Sequence, residues 1–323
     1  MCSLYPLRFR PLFRRYLWGG RRLQSVLGKP IGDGDDYAES WEVVDHGPDQ
    51  SVVAHGPLAG RTLGELTRTH GRELLGQHHR HDRFPLLFKF LDCNQNLSVQ
   101  VHPDDERARQ RVPPDRGKTE AWVILHADPG SVLYAGLRPG IDRPTLERAV
   151  RDGTVADCLH RLNPRPGDCV FIPAGTAHAL GAGLVVAEIQ QASDITYRLF
   201  DWNRLGPDGR PRPLHVAEAL EAIDYGRGPV APQVPAATGW PDTERLVHCD
   251  KFVLERRRAA APGPLGGDDR CHLIAVLEGA MHVSRDPCGT PLARGDVMLV
   301  PADCGPIELH PTAPATLLDV YLP

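Results

Sequence analysis

Gly167-Asp168-Cys169-Val170-Phe171-Ile172-Pro173-Ala174-Gly175-Thr176-Ala177-His178 holds four apolar residues between a glycine and a proline. Such a run reads as a short β-strand bounded by turns, and Gly175 supports a second turn that presents His178. The same pattern recurs at Gly295-Asp296-Val297-Met298-Leu299-Val300-Pro301. Two copies of one β-barrel type explain the echo, with chance as the alternative for a motif seen only twice. Short apolar or alternating runs fill the chain around these stretches: Glu42 to Val44, Leu86 to Leu91, Leu97 to His102, Ala121 to Leu125, Leu184 to Gln190 and Thr196 to Phe200. More follow at Phe252 to Glu255, His272 to Leu277 and Thr316 to Tyr321. Antiparallel strands in a sandwich or barrel are therefore expected, with helices only at Asp142 to Asp152 and Pro213 to Ile223. In the first of these Asp142 is the N-cap, a proline follows just inside, and Gly153 ends the helix.

Composition agrees with a β-rich fold. With 31 Pro and 32 Gly, about a fifth of the 323 residues break or turn the chain, which disfavours coiled coils and helical bundles. Hydrophobic residues at 41% suffice for a substantial core. A net charge of -4 offers no global field for nucleic acid or an anionic membrane, so an anionic ligand requires a local cationic site. The eight cysteines form no CxxC pair and no dense disulfide framework. The N-terminal run MCSLYPLRFRPLFRRY lacks the continuous apolar core of a signal peptide, and no apolar run is long enough to cross a bilayer. A cytoplasmic protein with reduced thiols is expected.

The division expected along the chain is a domain over residues 1–225, a Pro/Gly/Ala-rich linker over 226–242, and a C-terminal domain over 243–323. Aligned on the echo, Pro306 stands where His178 stands, so the C-terminal copy is read as metal-free, a packing or oligomer-forming unit.

Chemistry concentrates in the first domain. On a strand, Leu97, Val99 and Val101 face the core while Ser98, Gln100 and His102 share the other face. Glu120 heads the apolar strand that follows Gly117-Lys118-Thr119, and a buried carboxylate there requires a partner. Gln100, His102, Glu120 and His178 together offer two imidazoles, a carboxylate and an amide oxygen. That set suits Zn²⁺ or another divalent ion, one per chain, with room for water or substrate. The histidines of Gln77-His78-His79-Arg80-His81 sit in a wholly polar run and read as a solvated loop. Further on, Glu188 shares a face with Gln190, and Thr196 with Arg198. The Glu and Arg either pair with each other or serve as base and anion stabiliser.

These motifs, with Trp18-Gly19-Gly20, Glu39-Ser40-Trp41-Glu42, Pro85 to Lys89, LSVQVHPDD at 97–105, GKTEAW at 117–122, IPAGTAHAL at 172–180 and AEIQQASDITYRLFDW at 187–202, resemble the class I mannose-6-phosphate isomerases of the cupin superfamily, short bacterial form. The resemblance covers about two thirds of the chain. It implies a mainly β fold of two cupin-type jelly-roll barrels with a few short helices. The implied activity is metal-dependent isomerisation of mannose 6-phosphate to fructose 6-phosphate through an enediol. His102, Glu120 and His178 match the family's metal ligands, with Gln100 matching an amide ligand of some members. Arg198 matches the catalytic arginine, Lys118 an active-site lysine, and Glu188 a glutamate proposed for proton transfer, its pKa tuned upward by burial. Ser98 and Arg204 fall where members contact phosphate. Departures from the general cupin pattern are Gln100 in place of the first histidine of HxH, a long insertion before Glu120, and no Asn after His178.

The implied partner is a small sugar phosphate, with no nucleic acid and no membrane, in a monomer or homodimer. A catalytically silent sugar-phosphate-binding cupin is the alternative, and a metal-dependent cupin oxygenase fits the Lys/Arg set less well. Only four of the 37 basic residues are lysines, Lys29, Lys89, Lys118 and Lys251. A lysine retained inside GKTE marks Lys118 as functional, since ammonium and guanidinium are not interchangeable in a tight site. Lys29 then serves as its background comparison.

Overall fold

The computed structural model describes residues 4–206 and 209–323. Cys2 lies outside them, and the seven described cysteines are free thiols. In the first two thirds of the chain the strands are β1 (Leu12–Gly20), β2 (Tyr37–Val43), β3 (Leu86–Cys93), β4 (Val99–Val101), β5 (Glu120–Ala127), β6 (Leu133–Leu137), β7 (Leu159–Leu162), β8 (Cys169–Ile172), β9 (His178–Leu180), β10 (Leu184–Gln191) and β11 (Tyr197–Phe200). They form a six-stranded sheet ordered β8-β5-β10-β3-β2-β1 and a five-stranded sheet ordered β7-β6-β9-β4-β11. Every neighbouring pair is antiparallel.

Alternation along the central strands explains how the sheets stack. On β10, Val185, Ala187 and Ile189 pack with Phe88 and Phe90 of β3 and Ala121 and Val123 of β5 in one core, which also takes in Phe252, Leu254 and Leu318 from the C-terminal part of the chain. The alternate residues Val186, Leu91, Trp122 and Ile124 pack in a second core between the six- and five-stranded sheets. Both faces of the six-stranded sheet are therefore buried, and its strands read as continuous apolar runs rather than alternating ones. The outer face of the five-stranded sheet presents Val99 and Val101 to Leu146 and Ala149 of helix Arg143–Asp152 and to Ala219 and Leu220 of helix Val216–Ala222. The first helix starts and stops as its sequence specifies. Asp142 accepts from Thr145 N at 2.9 Å, and Gly153 adopts φ 71°. Shorter helices at Arg22–Leu27, Leu63–Thr69, Gly71–Leu75 and Asp105–Arg109 lack the length that makes a helical period visible in sequence. Among the described residues no helix is long and apolar enough to cross a membrane.

A third, eight-stranded sheet contains β12 (Thr243–His248), β13 (Val253–Ala259), β14 (His272–Val283), β15 (Val297–Val300) and β16 (Ile307–Tyr321). The echo noted in the sequence is a repeated piece of structure. Gly167 N donates to Ile124 O, Ile124 N donates to Asp168 O, and the Asp168 carboxylate accepts from Arg165 N. Gly295 N donates to Val276 O, Val276 N to Asp296 O, and the Asp296 carboxylate accepts from Ala293 N. The two glycines have φ 92° and 89°, a backbone conformation open to glycine and strained for other residues. Residues 226–242 are tied to the first part, with Val230 N donating to Ala135 O and Gln233 N to Cys169 O.

The lysines correct an expectation. Lys29 is 5% exposed with its Nζ 2.7 Å from Glu42 Oε1 and 5.1 Å from the Phe90 ring centre, so it is a buried structural ion pair and no background comparison for Lys118. The C-terminal sheet holds another buried pair. His272 Nδ1 lies 2.8 Å from Asp319 Oδ1 and its Nε2 lies 3.1 Å from Asp268 Oδ1. Burial pushes the imidazole pKa down, but the two carboxylates overcome it and hold it up at about 10. A folded pKa above the ordinary 6.5 means that the stabilisation is complete below about pH 6.5 and is lost as pH rises through about 10. Asp268 is 44% exposed and screened, so Asp319 contributes most of it. His272→Gln is expected to destabilise the fold by about 3 kcal/mol at pH 6 and by much less at pH 10, because it strands Asp319; urea unfolding at both pH values reads the difference.

Candidate active site

Between the five- and six-stranded sheets, one end of the second core is polar. A cavity of about 310 Å³ opens there, walled by Tyr16, Trp18, Glu39, Lys89, Ser98, Gln100, Lys118, Trp122, Glu188, Thr196, Arg198 and Arg212, among others. Strand register brings the polar side chains together. Glu188 on β10 pairs with Lys89 of β3 on one side and Trp122 of β5 on the other, and Gln190 pairs with Glu120. In the facing sheet Gln100 pairs with His178 and Arg198, while His102 directly follows β4. Sequence positions up to about a hundred residues apart therefore share one wall because their strands are neighbours. The alternation expected for 97–102 holds from Ser98 onward. Leu97 departs from it, joining the core between the sheets and lining the cavity, because regular pairing begins only at Val99.

His102, Glu120 and His178 are each about 1% exposed or less, with ligand atoms within 4.8 Å of one another. His102 Nδ1 donates to Ile195 O at 2.7 Å and His178 Nδ1 donates to Thr176 O at 2.8 Å. These bonds assign the tautomer and leave both Nε2 lone pairs facing inward. Burial pushes both imidazoles below their ordinary range, His178 to about 4, so both are neutral at pH 7 and carry their one proton on Nδ1. The Nε2 atoms stand 3.5 and 3.3 Å from the Glu120 carboxylate oxygens. Three electron-pair donors thus face one another, with Lys118 Nζ 3.3 Å from His102 Nε2, and neither Glu120 oxygen has an aligned hydrogen-bond donor. Lys118 Nζ, 2.9 Å from Glu120 Oε2, is the adjacent cation. Burial and the negative charge of Glu188 push the Glu120 carboxyl upward, against the pull of Lys118. A buried acceptor set of two nitrogens and a carboxylate fits a divalent cation. Gln100 meets the set with its amide nitrogen, 3.2 Å from His178 Nε2; half a turn of the terminal torsion exchanges nitrogen for oxygen.

Glu188 is 3% exposed, and its surroundings reverse the expected direction of its pKa. Burial favours the neutral acid, but Lys89 at 3.3 Å and Lys118 at 3.6 Å outweigh it and hold the carboxyl below the ordinary range. Trp122 Nε1 donates to Oε2 at 3.0 Å, while Oε1 has no hydrogen-bonding partner. Glu188 and Arg198 do not pair with each other. Arg198 donates to Pro213 O at 2.9 Å, and its Nε is buried without a partner. Burial, and then Arg212 and Arg204 nearby, lower its pKa. Three arginines crowd around one aspartate here. Asp201 accepts from Arg204 at 2.6 Å and from Arg212 at 2.6 and 2.7 Å.

Of the two residues expected to hold phosphate, Ser98 lines the cavity and Arg204 does not. Arg204 turns behind the wall to Asp201 and Asn96 O, and Arg212 stands on the wall instead. Sequence reasoning missed Arg212, Lys89 and Glu39. For Arg212 the only signal is an Arg-Pro-Arg run in a loop, and Lys89 is a charge inside an otherwise apolar strand, which is itself a sign of an inward-facing partner. His78, His79 and His81 lie outside the cavity.

A model of the family described as phosphomannose isomerase type I, catalytic domain, matches residues 7–128. Mannose-6-phosphate isomerase ManA of Bacillus subtilis is 34% identical over 94% of this chain and 96% of its own. The probable mannose-6-phosphate isomerase GmuF of the same organism is 40% identical over 68% of each chain. The crystal structure of a mannose 6-phosphate isomerase from Bacillus subtilis superposes with a TM-score of 0.89 at 30% identity, covering 98% of this chain and 99% of the other.

The charge arrangement makes a prediction independent of turnover. Lys89→Met leaves Glu39 and Glu188 buried without their shared ammonium, and is expected to lower folding stability by about 3 to 5 kcal/mol. Urea unfolding measures it, and a loss below about 1 kcal/mol would show that the carboxylates need no such partner.

Proposed function

Because the chain belongs to the type I phosphomannose isomerase family, we infer that it is a metal-dependent aldose-ketose isomerase interconverting mannose 6-phosphate and fructose 6-phosphate. The observation that carries this reading is the buried His102–Glu120–His178 acceptor cluster, joined by Gln100 and Lys118 to a cavity that also presents Arg198 and Arg212. His102, Glu120, His178 and Gln100, through its oxygen, are the proposed metal ligands, with Zn²⁺ as the proposed ion and one per chain. Such an ion supplies Lewis-acid polarisation of the sugar oxygens.

The reaction opens the sugar, moves the C2 proton to C1 and transfers the O2 proton to O1, so that no atom is gained or lost. We assign the removal of the C2 proton and its return at C1 to Glu188. Glu188 lines the cavity, its Oε1 is held by the two lysines without an aligned hydrogen bond, and it is ionised at neutral pH. Flanking lysines lower its basicity and therefore its driving force, an expense that a fixed geometry offsets. Arg198, with its unpartnered buried Nε, is assigned to the charge that develops on the enediolate oxygen. Lys118 lies between Glu120 and Glu188 and is assigned to the proton transfer between O1 and O2. The phosphate falls to Ser98 and the arginine group, Arg212 on the wall and Arg204 behind it bracing Asp201. Residues 1–225 are proposed as the catalytic domain, 226–242 as linker and 243–323 as a metal-free cupin-like domain. A cytoplasmic location and a monomeric or homodimeric state complete the proposal.

A coupled assay of mannose 6-phosphate conversion is expected to lose activity on chelation and to regain it when a divalent ion is restored. Activity indifferent to the chelator would remove the metal from the reading. In the same assay Arg198→Ala is expected to lower kcat by roughly 100- to 1,000-fold, and Glu188→Gln by roughly 100-fold or more. Near-wild-type turnover of Glu188→Gln would transfer the base role elsewhere.

A further inference from the structure

Lys251 belongs to the C-terminal sheet, in the short connection between β12 and β13, and it reaches back to the catalytic part of the chain. Its Nζ donates to Asp105 Oδ2 at 2.7 Å and lies 2.9 Å from Asp250 Oδ2. The connection is anchored. Phe252 is fully buried and stacks edge-on to Phe171 at 6.4 Å, and Cys249 N donates to Phe252 O.

Asp105 spends its other oxygen on the segment that carries Lys118. Oδ1 accepts from Gly117 N at 2.9 Å and from Gln191 Nε2 at 3.0 Å, and Gln191 Oε1 accepts from Thr119 N at 3.0 Å. The amides on both sides of Lys118 are thus held by one carboxylate, the first directly and the second through Gln191. Burial raises the Asp105 pKa, but its donors, Lys251 foremost, bring it below the ordinary range. Gly117 fits because it lacks a side chain. A Cβ there would stand 2.6 Å from the backbone of Asp104 and Asp105, so the helix start and the Lys118 segment are pressed together.

We propose that Lys251 is a positioning residue for the isomerase reaction, through which the C-terminal sheet sets the placement of Lys118 by way of Asp105 and Gln191. The proposal deepens the isomerase reading and rests on it. The pair is partly exposed, with side chains 26% and 29% accessible, so its effect is modest and its chemistry is replaceable.

The test uses the full chain with its metal. Lys251→Met is expected to lower kcat about fivefold, the change a partly exposed ion pair supports, while KM, governed by the distant phosphate contacts, stays within about twofold. Lys251→Arg, which keeps the charge, is expected to restore kcat. Hydrogen exchange gives a readout that needs no turnover: the Gly117 and Thr119 amides are expected to exchange about fivefold faster in Lys251→Met, with the C-terminal strands unchanged. Should Lys251→Met fail to fold, Lys251→Gln carries the same comparison. Unchanged kcat and unchanged exchange overturn the proposal, as does a general acceleration of exchange across the C-terminal strands, which marks a merely structural role. A wild-type chain without isomerase activity overturns the functional reading instead. In that case faster exchange at Gly117 and Thr119 upholds the mechanical link and unchanged exchange removes it.

Discussion

Compensation of buried charge is the constraint on which this structure depends. Glu39, Glu120 and Glu188 are buried within one site, where an isolated carboxylate is far costlier than in water. Lys89 and Lys118, also buried, sit between them, and each ammonium touches two carboxylates. The Glu120 oxygens and two imidazole lone pairs converge beside Lys118. The same balance explains why Glu188 is anionic although buried. Two cations within 3.6 Å outweigh the burial that would otherwise neutralise it. Chemistry and stability therefore draw on the same residues, and neither lysine can be exchanged for arginine without disturbing the packing of both carboxylates.

The sheets make this arrangement possible by being covered on every side. Helices Arg143–Asp152 and Val216–Ala222 close the outer face of the five-stranded sheet, and the C-terminal sheet closes the outer face of the six-stranded one. The inner faces can then carry charge at one end and Ile124, Leu184 and Val186 at the other. The C-terminal sheet shares with the six-stranded one the turn built around Gly167 and Gly295, down to the aspartate that closes it. In the first copy the chain passes from that turn through Pro173 and Gly175 to His178. In the second, Pro306 takes the aligned position and offers no ligand atom.

All four lysines prove to be ion-paired: Lys29 with Glu42, Lys89 and Lys118 in the cavity, and Lys251 with Asp105. Their scarcity drew attention to Lys118, but a count cannot tell a catalytic ammonium from a structural one. Lys29 is the instructive case, since it is as buried as Lys118 and lies away from the cavity. Arg204 and Arg212 illustrate a similar limit. Both hydrogen-bond to Asp201, yet Arg212 lines the cavity and Arg204 does not.

Much of the architecture was legible from local pattern, because a strand's period and a helix's caps are local properties. The strand at Cys169–Ile172, the helix after Asp142 and the inward face of Ser98, Gln100 and His102 all follow from residue spacing alone. The grouping of His102, Glu120 and His178 was expected from their residue types taken together, and the fold does bring the three side chains within reach of one another. What the residues could not reveal by themselves was every property that depends on a neighbour distant in sequence. The lowered pKa of Glu188 comes from Lys89 and Lys118, about 100 and 70 positions away, and Asp105, which holds the Gly117 amide, is paired with Lys251, about 150 positions further on. Spacing specifies which side chains share a face. Only the packed sheets determine which charges meet across it, because electrostatic energy depends on distance in space and on exclusion of water, and neither is written along the chain.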